Sequence, residues 1–296
     1  MFFRRQRFDN YGASPLKWII RILILFAIIF GVYKWYGRPA PQMANLGTYN
    51  NIQAKMHQKV QLNGNLIKPD QSVFPSNARS QSVIQPVLTD VGQVQYNNAG
   101  AYIVNNNQAS FKAVKPYGRP WAQNHVDKEG RAAIGDAYLT QQARQYQSRQ
   151  QTNNGASSWK PMGYHQKMNL TPPYTFAYNR GHLLGYALIG NIRGFNASEH
   201  NRQNIVTQTM WANQAGDPNN TGQNYYEGIV RQALDQGKFV RYQVRALYGK
   251  SYEQVPRAFQ IQAKSSDNSI NFNVLVPNTQ NNIQINYTTG NVTPSH

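Results

Sequence analysis

The chain has 296 residues, no cysteine and a formal net charge of +18, from 30 Lys+Arg against 12 Asp+Glu. A disulfide framework, a thiolate zinc site and a cysteine nucleophile are therefore excluded. Residues 93–296 alone hold 19 basic and nine acidic side chains, so the excess is not merely a basic tail. It points to a polyanionic partner: nucleic acid, an anionic membrane surface or an acidic cell-wall polymer.

Residues 1–17 carry Arg4, Arg5, Arg7 and Lys17, and residues 18–36 are apolar except for Arg21 and Lys34. With its two charged side chains snorkelling, the second stretch is about long enough to cross a bilayer as a helix. The heavier basic flank predicts a cytoplasmic tail and a single-pass signal anchor with the remainder outside the cell. The alternative is a cleaved signal peptide and a secreted product. Residues 37–92 are rich in Gln, Asn, Ser and Pro and predict a flexible polar spacer. Within it, residues 83–88 can be at most a short edge strand, because Pro86 cannot donate to a ladder.

From residue 93 to 296 the pattern predicts one folded domain. Tyr102-Ile103-Val104 reads as a strand, and residues 130–142 read as a helix on Ala132, Ala133, Ile134, Ala137, Tyr138 and Leu139. Residues 141–158 are polar, and residues 174–178 form a strand leading into Asn179-Arg180-Gly181-His182. Residues 204–212 and 223–234 are helix-like, separated by Gly216-Asp217-Pro218-Asn219-Asn220, and Gly237 stops the second. Alternation around Val240–Val244, Phe259–Ile261, Phe272–Val276 and Ile283–Tyr287 predicts half-buried antiparallel strands. The whole is of α+β class with a mixed or antiparallel sheet.

Hydrolysing a phosphodiester needs an activated water, stabilisation of transition-state charge and help for the departing oxygen. A neutral histidine is a suitable base near neutral pH. Arg180 beside His182 disfavours the imidazolium and can clamp a phosphate at two points. A hard cation takes oxygen ligands and keeps its waters, so a single asparagine oxygen can suffice to hold it.

The run Asn179-Arg180-Gly181-His182, the run from Gln203 to Gln208, Asn213, and the run from Gly222 to Glu227 together resemble the DNA/RNA non-specific endonuclease family. More closely, they resemble the membrane-anchored DNA-entry nucleases of Gram-positive bacteria. The resemblance covers roughly residues 95–290 and implies a ββα-metal (His-Me finger) fold. It implies His182 as general base, Asn213 as ligand of a hydrated Mg²⁺ or Mn²⁺, and Glu227 holding metal-bound water or orienting the site. It further implies Arg231 as a phosphate contact, Asn204 as an orienting support for His182, and Arg180 as a phosphate contact or structural prop. Lys160 and Lys167 are candidate substrate contacts from their position before the strand. DNA and RNA are the implied substrates, and residues 18–36 and a DNA-uptake machinery the implied membrane and protein contacts. Asn179 departs from the usual aspartate of the motif. If that carboxylate holds Arg180 by charge, activity falls here; if it only hydrogen-bonds the loop, asparagine can serve. Two other readings stay open: a catalytically weakened DNA receptor and a basic cell-wall-binding protein.

Overall fold

A computed structural model describes residues 73–155 and 158–295. The predicted cytoplasmic tail, signal anchor and most of the spacer lie outside the described residues. Among the described residues, no helix is long and apolar enough to cross a membrane.

The first described element corrects the spacer's end. Helix α1 (Asn77–Ile84) is capped by Ser76, whose side chain accepts from the Arg79 N–H, and runs into a 3-10 turn at Gln85–Asp90 with Pro86 near its start. Residues 83–88 are thus helical, not a strand. Ile84 and Val87 are fully buried with Tyr102, Val104, Leu247 and Leu275, so the folded domain begins by Val73. The polar composition concealed this because only a few apolar side chains dock the segment, enough at about 1.5–3 kcal/mol each.

Strands β1 (Val94–Tyr96), β2 (Tyr102–Val104), β3 (Trp121–Val126) and β4 (Ala132–Leu139) follow. The motif strand β5 (Tyr178–His182), short helix α2 (Tyr186–Ile189), strand β6 (Ile205–Thr209) and helices α3 (Met210–Gln214) and α4 (Gln223–Asp235) form the middle of the chain. Strands β7 (Val240–Leu247), β8 (Ala258–Ser265), β9 (Asn271–Pro277), β10 (Ile283–Ile285) and β11 (Val292–Pro294) complete it. A seven-stranded antiparallel sheet runs β1-β2-β9-β8-β7-β4-β3. Two small antiparallel pairs, β5–β6 and β10–β11, stand outside it.

Three sequence expectations are corrected. Residues 130–142 hold strand β4, not a helix. Despite its alanines, the segment pairs on both sides, with β3 and β7, and its buried second half hides the period of two. Residues 204–212 divide into β6 and then α3, because all five β6 residues are buried and show no alternation. The motif strand starts only at Tyr178 and contains the motif itself, whereas residues 174–177 make an irregular approach. Helix α4 is as expected: Gln223, Glu227, Val230 and Leu234 lie on its buried face, and Gly237 follows its end with φ +78°. That face packs with Leu183 and Leu184 against Tyr242, Val244, Phe259 and Ile261 of the sheet.

Candidate active site

Strands β5 and β6 with helix α3 bring the motif residues together. The β5–β6 register sets His182 opposite Ile205 and Gly181 opposite Val206. Gly181 is required by close approach: a Cβ there would run into the Gln208 side chain. Thr209 caps α3 by accepting from the Ala212 N–H at 3.1 Å, which projects Asn213 from a short, fixed helix.

The result is a polar cleft of about 330 Å³ lined by His182, Asn179, Arg180 and Asn213, with Arg149, Tyr164 and Glu199 completing the wall. Arg180 pairs with Glu199 at 2.7 Å. Arg149 donates to the Ala197 carbonyl and stacks 4.5 Å over the Tyr186 ring. Burial lowers its guanidinium below the usual value, with Glu199 opposing the shift, yet an arginine remains a cation. The Oδ1 atom of Asn213 is buried without a hydrogen-bond partner.

Behind His182 stands helix α4. His182 Nε2 lies 3.1 Å from Glu227 Oε1. A carboxylate only accepts, so Nε2 carries the proton of this contact, and in the neutral ring Nδ1 keeps the lone pair. Gln223 Nε2 donates to Glu227 Oε1 at 3.0 Å and to the His182 carbonyl at 2.9 Å. Arg231 donates to Glu227 Oε2 at 3.5 Å and to Asn224 Oδ1 at 2.9 Å. Glu227 is only 4% exposed. Burial would raise its carboxyl, but His182, Arg231 and Gln223 outweigh that and hold it below the usual range. Gly185 leaves the room: a Cβ there would lie 2.5 Å from Glu227 Oε2.

Of the expected site residues, His182, Arg180 and Asn213 share the cleft. Glu227 sits behind the imidazole, its oxygens taken by protein partners. Arg231 is part-buried against Glu227 and Asn224 and does not line the cleft. Asn204 is fully buried and supports the site differently from the expectation. Its Oδ1 accepts from the Leu184 N–H at 2.9 Å and from Asn124 at 3.0 Å, and its Nδ2 donates to the Leu184 carbonyl at 3.0 Å. It thus fixes the backbone just after His182, not the imidazole. Lys160 and Lys167 are exposed and line no part of this cleft. Sequence reasoning missed Arg149, Tyr164, Glu199 and Gln223. Only Gln223 carried a signal, since Gln223, Glu227 and Arg231 recur at four-residue spacing on one helix face.

Asn213 fits a hard divalent cation, which takes oxygen donors and retains waters; its buried Oδ1, unpartnered within the protein, is an oxygen donor free to replace one of those waters. Among the described residues, no three His, Asp or Glu side chains cluster to hold a metal.

Residues 121–294 match the model of the DNA/RNA non-specific endonuclease family. Crystal structures of NucA from Streptococcus agalactiae are similar at 39% identity. The magnesium-bound one has a TM-score of 0.69 and covers 75% of this chain and 99% of its own; the metal-free one has 0.67, 76% and 100%. The chain belongs to the DNA/RNA non-specific endonuclease family.

Proposed function

We propose that the protein hydrolyses internal phosphodiester bonds of DNA, and of RNA, without reading base sequence. The observation that carries this reading is the His182–Glu227 contact at the edge of a cleft holding Arg149, Arg180 and Asn213. Glu227 orients the ring and fixes the proton on Nε2. Nδ1 takes a proton from the attacking water as its oxygen bonds to phosphorus, and the bond from phosphorus to the sugar oxygen breaks, that oxygen leaving with the bonding pair and taking a proton from solvent water. Arg149 and Arg180 bind the phosphate oxygens where charge accumulates. Asn213 would hold Mg²⁺, with Mn²⁺ as substitute, which supplies Lewis-acid polarisation of the phosphate and the leaving oxygen. Contacts confined to phosphate carry no sequence information.

One observation bears on the weakened-receptor alternative. Arg180 is held by Glu199, so the charge that Asn179 lacks is supplied by another residue, which favours the enzyme. Action at the outer cell surface is part of the proposal and rests on the apolar run of residues 18–36. Plasmid nicking in Mg²⁺ tests the function. The parent should nick and linearise plasmid, and His182→Ala should not; undiminished cutting in chelator would remove the metal from the reading.

A further inference from the structure

The face of the sheet turned away from His182 carries a second basic and aromatic surface. Side chains alternate along a strand. Asn124 reaches Asn204 on the site's side, so Trp121, three positions earlier, faces the other way; the only register shift in β3 lies beyond, between His125 and Val126. On β7 Tyr242 is buried in the core, and its neighbour Arg241 takes the far face.

Residues 109–119 return over that face and are fixed there. Ser110 N and Oγ donate to Gln262 Oε1 at 2.8 and 2.9 Å. The Tyr138 hydroxyl lies 2.8 and 2.9 Å from the carbonyl oxygens of Lys115 and Tyr117, which share its one proton. Gly118, at φ +130°, lets the turn lie against the Tyr138 ring. Between loop and sheet lies a groove of about 470 Å³. The Arg241 guanidinium sits 5.1 Å from the Phe111 ring centre and 4.7 Å from that of Trp121. Its charge is met by Asp136 at 2.9 Å, so it stiffens the groove more than it charges it. The charge comes from Lys112, Lys115 and Arg119, all exposed, while residues 105–126 contain no Asp or Glu. Tyr117 is 65% exposed and Trp121 39%.

Each ring has a cation near one face, Arg241 at Trp121 and Lys115 at 5.7 Å from the Tyr117 ring centre. The ring surface left exposed, among cations with no acidic residue in their own segment, suits unstacked bases on a polyanionic backbone. A duplex keeps its bases stacked on each other and cannot use the rings. We propose that this groove binds single-stranded nucleic acid, with bases stacked on Tyr117 and Trp121 and phosphates paired with Lys112, Lys115 and Arg119. Strand β3 is the sheet's edge, and Trp121 and Asn124 are roughly 10 Å apart along it. A strand bound there would reach the other face of the sheet by passing over that edge. Its use, retaining a strand between cuts, rests on the hydrolytic reading; the binding itself does not.

The test measures fluorescence anisotropy of a labelled oligo(dT) and of a duplex of equal length, in chelator, on His182→Ala and on His182→Ala with Tyr117→Ala and Trp121→Ala. The aromatic pair should cost about 30-fold or more in affinity for the single strand and leave the duplex within about threefold. A 5-iodouracil oligonucleotide should crosslink to the peptides containing Tyr117 or Trp121. Unchanged single-strand affinity without those crosslinks overturns the proposal. So does an equal loss for both nucleic acids, or binding of anionic lipid vesicles in place of oligonucleotide. If the parent fails to nick plasmid while the aromatic variant still loses the oligonucleotide, hydrolysis falls and the groove stands. Intact nicking with no loss of binding gives the reverse.

Discussion

His182 on β5 and Glu227 on α4, 45 positions apart in sequence, meet at 3.1 Å through Nε2 and Oε1. Glu227→Gln keeps an acceptor for the Nε2 proton but removes the charge that favours the imidazolium formed during proton transfer. Turnover should fall by about 10-fold or more, against about 10²- to 10⁴-fold for His182→Ala. The same pair has a stability signature. The Glu227 carboxyl lies below its ordinary value of 4.5 in the fold, so its ionised form stabilises above that pH, and the contribution is lost as pH falls through the folded value. The variant should therefore melt below the parent at pH 7, and the gap should close under pH 4.5. A gap that stays constant from pH 7 to pH 3 would show that the charge of Glu227 does not support the fold.

The buried, unpartnered Oδ1 of Asn213 makes a prediction about metal. Asn213→Ala removes the oxygen and should abolish nicking at millimolar Mg²⁺, with the melting temperature little changed. Asn213→Asp keeps an oxygen and adds charge, so half-maximal nicking should need less Mg²⁺ than in the parent. Mn²⁺ binding followed by electron paramagnetic resonance reads the same difference without turnover. Equal Mn²⁺ affinity in Asn213→Ala and parent would place the ion elsewhere.

The Arg180–Glu199 pair at 2.7 Å bears on the motif's missing aspartate. Because Glu199 already holds the guanidinium, Asn179→Asp should change nicking by less than about threefold, whereas Glu199→Gln should lower it by about 10-fold or more through a misplaced phosphate contact. Plasmid assays on the two variants decide the point. A large gain in Asn179→Asp would mean that Glu199 does not replace the missing charge.

Legibility in the sequence followed locality. Helix α4 and strand β7 could be read because each has one wetter face and so a clear period. Strands β8 and β9 are buried on both faces, not half-buried as expected. They were legible because Gln260, Gln262 and Asn273, polar side chains that the fold buries, alternate with Phe259, Ile261, Phe272 and Val274. Strands β4 and β6 could not. They are buried over much of both faces, and in β4 the alanines favour helix on propensity alone while pairing with β3 and β7 overrides them. In the site, His182, Asn213 and Glu227 stood out through the order of the family's motifs, not through any single spacing. Arg149 and Glu199 reach the cleft from polar segments with no period at all, and nothing local marks an arginine that the fold will bury. Asn204 was found but its partner was misjudged: it holds the Leu184 backbone, which only the register of β5 against β6 reveals.

That misjudged residue supports a prediction about stability. Asn204 is fully buried and closes a two-way bridge to Leu184, and through Asn124 it ties edge strand β3 to the site. Asn204→Ala leaves the Leu184 N–H and carbonyl without these partners in the interior. Each unmet buried group costs about 1–3 kcal/mol, so the variant, with two, should lose about 2–6 kcal/mol. For a domain of this size, that lowers the melting temperature by roughly 4–24 °C. Asn124→Ala removes the outer link and a bond that Asn124 accepts from Asn201 at 3.3 Å, but Asn204 stays satisfied by Leu184 and Asn201 by the Asn196 carbonyl, so its loss should be about 1 kcal/mol. Because the bridge fixes the backbone two residues after His182, nicking measured well below the lowered melting temperature should still be reduced in Asn204→Ala and near parental in Asn124→Ala. Parental nicking by both variants would mean that Asn204 serves the fold without positioning the base.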